Sequence, residues 1–224
     1  MRHTLSNRRS TRTGFTLVEA LISVTMLAVL FLAVLQTSSR ASDAFDEGGV
    51  EHELWTRAQR ALERIATEVE LASPAILAAD VTSDLGAKAV QFRVPTGFAG
   101  GLVQWSGEIR IALELEPGEL DDGLDNDGDG FIDEQRIVRT NDFGSADEQR
   151  IVLASGVAEL QDGESANGVD DNGNGLRDES GLAFWAEDGL MTILLTCQSR
   201  DEGGRILTKT AATAVRLWNT NTGG

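Results

Sequence analysis

Two acidic stretches hold the residues whose types and spacing can do chemistry. The first, ELDDGLDNDGDGFIDE over 119–134, sets Asp125, Asp127 and Asp129 at alternate positions, followed by Gly130, Phe131, Asp133 and Glu134. Residues 121–134 carry seven acids in fourteen positions. The second stretch, ESANGVDDNGNGLRDE over 164–179, aligns with the first without gaps at an offset of 45 residues. In the same order it offers Asp170, Asn172, Asn174, Gly175, Leu176, Asp178 and Glu179. Carboxylate, carboxamide and carbonyl oxygens are hard ligands that suit Ca²⁺. Neither stretch contains His or Cys, which argues against zinc or a redox metal.

Aligned on Asp125, the first stretch follows the ligand order of an EF-hand loop. Asp125, Asp127 and Asp129 take positions 1, 3 and 5, Gly130 the sharp turn at 6, the Phe131 carbonyl position 7 and Asp133 position 9. Arg136 stands where a bidentate glutamate closes the EF-hand shell, so no helix-loop-helix unit is implied. The loops instead resemble the short DxDxDG calcium loops of dockerin-like and thrombospondin-type repeats. That resemblance implies a closing carboxylate from elsewhere. Glu134 is nearest, with Glu119 or Asp121 behind it, and Glu179 has the corresponding place in the second copy. The second copy offers Asp170, Asn172, Asn174, the Leu176 carbonyl and Asp178, and its two asparagines lower the ligand charge, which should weaken binding. Asp, Asn and Gly also form plain polar turns. Two aligned copies with oxygen ligands at alternate positions favour calcium.

A different signal lies at the N-terminus. Residues 15–35 read FTLVEALISVTMLAVLFLAVL, with Glu19 the only charged residue. That is about the ~20 apolar residues a helix needs to cross a bilayer. Arg2, Arg8, Arg9 and Arg12 precede it with no acid among them, which by the positive-inside tendency keeps that end cytoplasmic. A secretory signal has a shorter apolar core and a small-residue cleavage site. A plain anchor leaves Glu19 unexplained, because a carboxylate in lipid costs at least ~2.5 kcal/mol. The run Gly14-Phe15-Thr16-Leu17-Val18-Glu19 closely resembles the processing site of type IV prepilins and type II secretion pseudopilins. The resemblance implies that prepilin peptidase cuts after Gly14 and methylates Phe15. It also implies that Glu19 pairs in the membrane with an N-terminal amine, its own or that of a neighbouring pilin or pseudopilin subunit. Such a pair is worthwhile only with both members present, which makes Glu19 a register device for assembly.

The chain has 224 residues and a net charge of −17. Without the four leader arginines, 15 basic residues face 36 acidic ones, a net of −21. So acidic a surface disfavours nucleic acid and anionic lipid and favours cations. The single cysteine, Cys197, cannot form an internal disulfide and lies in the apolar run LMTILLTC, which reads as a buried thiol. The only histidines are His3 and His52, and no GxSxG, HExxH, GxGxxG or phosphate loop appears. Acid pairs such as Asp121-Asp122 could in principle serve a glycosidase, but loops this rich in glycine argue against it. The expectation is therefore a protein that is not an enzyme.

These sites need elements to position them. Val50, Leu54, Ala58, Leu62, Ile65 and Val69 recur at helical steps, widened by Trp55 and Ala66, with Glu53, Arg60, Glu63, Arg64 and Glu70 opposite. Glu51 falls on the stripe as an exception, Gly48 and Gly49 predict a bend or local melt, and Pro74 predicts the helix end. Strands are predicted over 90–94, 108–115, 182–187, 190–196 and 206–217, with a hairpin between the two QRIV copies at 135–138 and 149–152. The expected organisation is a removed leader (1–14), a membrane and assembly helix (15–38), an amphipathic stalk helix (39–73) and a β-rich domain (74–224). The fold class is α+β: a long N-terminal helix on a mostly antiparallel sheet, the layout of pilin-like proteins. RIVLASGVAEL and TAVRLWN resemble the C-terminal half of J-class minor pseudopilins. Two functions follow: a minor pilin or pseudopilin of an inner-membrane machine, with its domain in the periplasm and then in a filament, or a membrane-tethered calcium-dependent adhesin that uses the pilin route.

Overall fold

The computed structural model describes residues 16–72, 83, 85–187 and 189–216. Among the described residues it is α+β, with one long helix, α1 (Leu17–Glu70), and nine strands. The chain divides into two compact units, Met1–Asp46 and Glu47–Gly224.

In the first unit α1 is apolar and exposed, with Leu17, Val18, Leu21, Met26, Phe31 and Leu35 all at least half uncovered. This stretch is long and apolar enough to cross a membrane. An apolar helix surface without a protein partner is stable where lipid replaces water.

In the second unit the helix is amphipathic, as the spacing predicts. Leu54, Ala58, Leu62, Ile65 and Val69 are buried, joined by Ala61. Burying each of the larger side chains contributes roughly 1.5–3 kcal/mol. Glu53, Arg60, Glu63, Arg64 and Glu70 are exposed as expected. Glu51 resolves its awkward place by an ion pair with Lys209 at 3.2 Å. Two expectations are corrected. Gly48 and Gly49 stay helical, since i→i−4 hydrogen bonding continues across them at a cost of about 1 kcal/mol per glycine. Trp55, at the margin of the stripe, remains 44% exposed instead of joining the core. The helix ends at Glu70, and Pro74 lies outside the described residues.

The strands are β1 (Ala89–Phe92), β2 (Pro95–Ala99), β3 (Leu102–Trp105), β4 (Ile109–Leu115), β5 (Gln135–Asn141), β6 (Gln149–Val157), β7 (Leu182–Glu187), β8 (Leu190–Arg200) and β9 (Ile206–Arg216). The main sheet runs β1-β4-β5-β6-β8-β7, with β9 on the other edge of β8, and its strand pairings are antiparallel. The QRIV hairpin forms as β5 and β6. β6 meets β8 only at Val157↔Cys197. The predicted end of the last strand at Leu217 falls outside the described residues. Alternation puts Val90, Phe92, Ile109, Ile111, Ile137, Ile193 and Leu195 into one core with the helix stripe. Cys197 is fully buried there, and burial pushes its thiol up to about 11, partly offset by Arg57. β2 and β3 form a separate hairpin that bears Phe98 and Leu102 on its surface. Both acidic stretches are connections of the main sheet: the first joins β4 to β5, the second joins β6 to β7.

Candidate metal centres and the membrane motif

Each acidic loop closes at its base by the same backbone bond. Glu116 N–H donates to the Glu134 carbonyl at 3.0 Å, and Gln161 N–H to the Glu179 carbonyl at 3.0 Å. The 45-residue offset therefore holds in hydrogen bonding and extends to 116 and 161. It also holds in dihedrals. Gly130 and Gly175 have φ of 95° and 93°, and Asp133 and Asp178 have φ of 49° and 47°. Left-handed backbone suits glycine, and short polar aspartate tolerates it because its side chain bonds locally.

Inside this frame a glutamate acts as a staple. Glu119 Oε1 accepts the amides of Asn126 and Asp127, both at 3.0 Å, and Oε2 accepts that of Asp133 at 3.2 Å. Glu164 does the same for Asp171, Asn172 and Asp178 at 3.1, 2.9 and 3.2 Å. Asp133 holds the loop from the other side, accepting from Asp122 at 3.1 Å and Gly123 at 2.8 Å. Asp178 accepts from Asn167 and Gly168 in the same way. The structure thus gives Asp133 and Asp178, expected at ligand position 9, backbone amides as partners. Asp125 is also tied to the backbone, accepting from Gly128 at 2.6 Å and Gly130 at 2.9 Å. Asp170 accepts from Gly173 at 2.6 Å and Gly175 at 2.9 Å.

The carboxylates left to face one another lie in the first loop. Oxygens of Asp127, Asp129 and Glu134 fall within 4.8 Å of each other, as do those of Glu119, Asp125 and Asp127. Glu134 is only 3% exposed, and its Oε2 is buried with no hydrogen-bond partner. Burial, together with repulsion from Asp129, Glu119 and Asp127, pushes its carboxyl up to about 7 despite a backbone hydrogen bond that favours the charged form. A buried carboxylate oxygen among acids has a large desolvation cost that a cation removes. Asp127, Asp129, Phe131 and Glu134 also line a cleft of about 310 Å³, with Arg57 on another of its walls. The donor set is all oxygen and fits a hard divalent cation. Asp121, the more distant candidate for closing the shell, is exposed. Phe131 is held under Arg200, whose guanidinium lies 5.3 Å from the ring centre and donates to the Gly130 carbonyl.

The second loop differs where its side chains differ. Asn172 Nδ2 donates to Glu179 Oε1 at 3.2 Å, and Asn174 Nδ2 donates to the same oxygen. Glu179 is fully buried and its Oε2 has no partner. Leu176, whose carbonyl holds ligand position 7, is buried at 3% exposure. No set of three acids converges here among the described residues.

The staple role of Glu119 and Glu164 is not marked in the ligand pattern. Its trace in the sequence is a glutamate six residues before the aspartate at ligand position 1 of each copy, Asp125 and Asp170. Arg57, which lines the same cleft, and Arg200, which bonds the Gly130 carbonyl, have no such trace, because each comes from a distant element.

In the first unit, Gly14 and Phe15 lie outside the described residues. Glu19 stands in the first turn of α1, where carboxylates are favoured by the helix dipole, and its amide donates to Thr16 Oγ1 at 3.2 Å. Its side chain is exposed on the apolar stretch. No curated protein and no solved structure matches the chain. Residues 9–35 match the prokaryotic N-terminal methylation motif, and with the apolar helix that match supports a type IV pilin-like, single-pass membrane-anchored protein that is a substrate of prepilin peptidase.

Proposed function

We propose that the chain is a minor pilin or pseudopilin subunit, a structural protein rather than an enzyme. Prepilin peptidase cleaves it after Gly14 and methylates Phe15. The apolar helix holds it in the inner membrane with its β-rich domain in the periplasm. From there Glu19 guides it beside other subunits into a type II secretion pseudopilus or type IV pilus. The observation that carries this reading is the methylation motif over 9–35, at the head of a helix whose outer half packs on an antiparallel sheet. The runs RIVLASGVAEL and TAVRLWN favour the J-class among minor pseudopilins.

The acidic loops are calcium sites in this reading. The buried Glu134 carboxylate, whose Oε2 has no partner, supports the first, with Asp125, Asp127, Asp129 and the Phe131 carbonyl as further ligands. Asp170, Asn172, Asn174, the Leu176 carbonyl and Glu179 form a weaker second site. Calcium would offset the mutual repulsion of the acids and hold the β4–β5 and β6–β7 connections.

Intact-mass measurement of membrane-extracted protein tests processing. The expected species starts at Phe15 and carries one added methyl group, whereas a Met1 start in cells with active peptidase overturns the reading. Glu19→Ala should leave cleavage and anchoring intact, since it removes a charge from lipid. It should reduce co-isolation with other pilin-like subunits, and co-isolation at the wild-type level would remove the register role of Glu19.

A further inference from the structure

Among the described residues of this acidic chain, a groove on the helix has the opposite character. An open cavity of about 610 Å³ lies between the solvent face of α1 and Leu153 of β6, lined also by His52, Glu53, Arg57, Arg60 and Arg64. The three arginines recur at three- and four-residue steps and so share one helix face. Arg57 pairs with Glu53 at 3.0 Å. Arg60 and Arg64 are exposed and have no ion pair or hydrogen bond among the described residues. Most other cations of this unit are engaged: Arg139 by Glu68, Arg205 by Glu47 and Asp201, Lys209 by Glu51, and Arg136 and Arg150 by Glu114.

The strand beside the groove has a free edge. β6 pairs with β5 along its length, but its other edge meets β8 only at Val157↔Cys197. Over 149–155 that edge has no neighbouring strand among the described residues, and it carries Ile151 and Val152 at 40% and 47% exposure. An unpaired edge is a template for an added strand.

We propose that this groove docks an extended acidic segment of another protein. The segment adds to the β6 edge by main-chain hydrogen bonds and sets its carboxylates against Arg57, Arg60 and Arg64. Edge pairing requires a peptide backbone, and guanidinium forks match carboxylates. A nucleic acid supplies the charge but not the backbone. A second copy of this chain is a poor occupant. Its acidic runs at 119–134 and 164–179 are loops pinned by their own amides, and its acids at 142–148 sit in the β5–β6 connection. The inference stands whether or not the subunit enters a filament.

The test is fluorescence anisotropy on the full chain in non-ionic detergent. The probe is a labelled peptide of about ten residues, the length of a long strand, alternating glutamate and valine. It should bind saturably and weaken with added salt. A glutamine-for-glutamate version should bind at least about tenfold more weakly, a difference that salt erases. Isotope-edited infrared spectra of the bound peptide should show added β-strand. Arg60→Glu with Arg64→Glu should lower affinity about tenfold or more, with Arg64→Gln intermediate, and circular dichroism should be unchanged because both side chains are exposed. Full retention of binding by the double variant overturns the proposal, as does equal binding of the glutamine peptide. Tighter binding of an oligodeoxynucleotide of equal charge also overturns it, assigning the groove to polyanions in general.

Discussion

The two acidic loops share a backbone and differ in how a buried glutamate is satisfied. Both have the staple, Glu119 or Glu164, the same closing bond at the base, and an aspartate at positive φ that clamps the turn. In the first loop Asp127 and Asp129 converge with Glu134, whose Oε2 has no donor. In the second, Asn172 and Asn174 turn their amides onto Glu179 Oε1 and supply internally part of what a cation would supply. The staple and clamp residues are the same in both copies, whereas two that face the ion position, Asp127/Asn172 and Asp129/Asn174, are not. A scaffold and its ligand affinity are thus set by separable residues.

The largest effect should come from the shared scaffold. Glu119→Ala leaves three loop amides without their acceptor, as does Glu164→Ala. Glu119→Ala should cost about 2 kcal/mol or more, with or without calcium, since an unsatisfied buried donor costs ~1–3 kcal/mol, and Glu164→Ala less, because its amides are more exposed. Melting curves in calcium and in chelator check this, and a loss seen in only one condition would mean the glutamate acts as a ligand instead.

Exchanging the differing residues tests the contrast itself. Asp127→Asn with Asp129→Asn should make the first loop resemble the second. The response of the wild-type melting temperature to millimolar calcium, about 3–5 °C for an affinity near ~10⁻⁴ M, should mostly vanish. Stability in chelator should rise at the same time. Asn172→Asp with Asn174→Asp should do the reverse: more calcium bound by calorimetry and lower stability without it. Equal calcium responses in both exchanged proteins and the wild type would return the loops to plain polar turns.

A pH dependence also follows. Glu134 titrates near 7 in the fold and at its ordinary value of about 4.5 when unfolded. The folded state therefore holds the proton more tightly, and metal-free stability falls as pH rises from about 5 through 7. Calcium must displace that proton, so its affinity should rise over the same window and level off above it. Glu134→Gln should flatten the metal-free slope between pH 5 and 8. An unchanged slope would show that another group is responsible.

Much of the molecule is legible from spacing alone, for a physical reason. Amphipathic periodicity, strand alternation and an apolar run with a single carboxylate are local patterns. They specify the helix stripe from Leu54 to Val69, seven of the nine strands and the methylation motif, because solvent or lipid acts on each residue through its own neighbours. The duplicated loop is equally local, and its oxygen ligands are visible as a repeat. The 95–105 hairpin lacks strict alternation and a buried face, so nothing in its pattern separates it from a loop.

Tertiary structure decided the rest. Ligand spacing puts Asp133 and Asp178 at a calcium position, yet folding directs their oxygens to backbone amides that only the closed turn presents. Whether Glu134 has a donor depends on how β4 and β5 bury the loop base, and Arg200 reaches the first loop from another hairpin. The basic groove exists because β6 leaves β8 after one residue pair, beside a helix face that reads in sequence as ordinary solvated charge. Long-range contacts decide which polar atoms lose water. A sequence can supply the charges, but only the assembled sheet determines which of them remain without a partner.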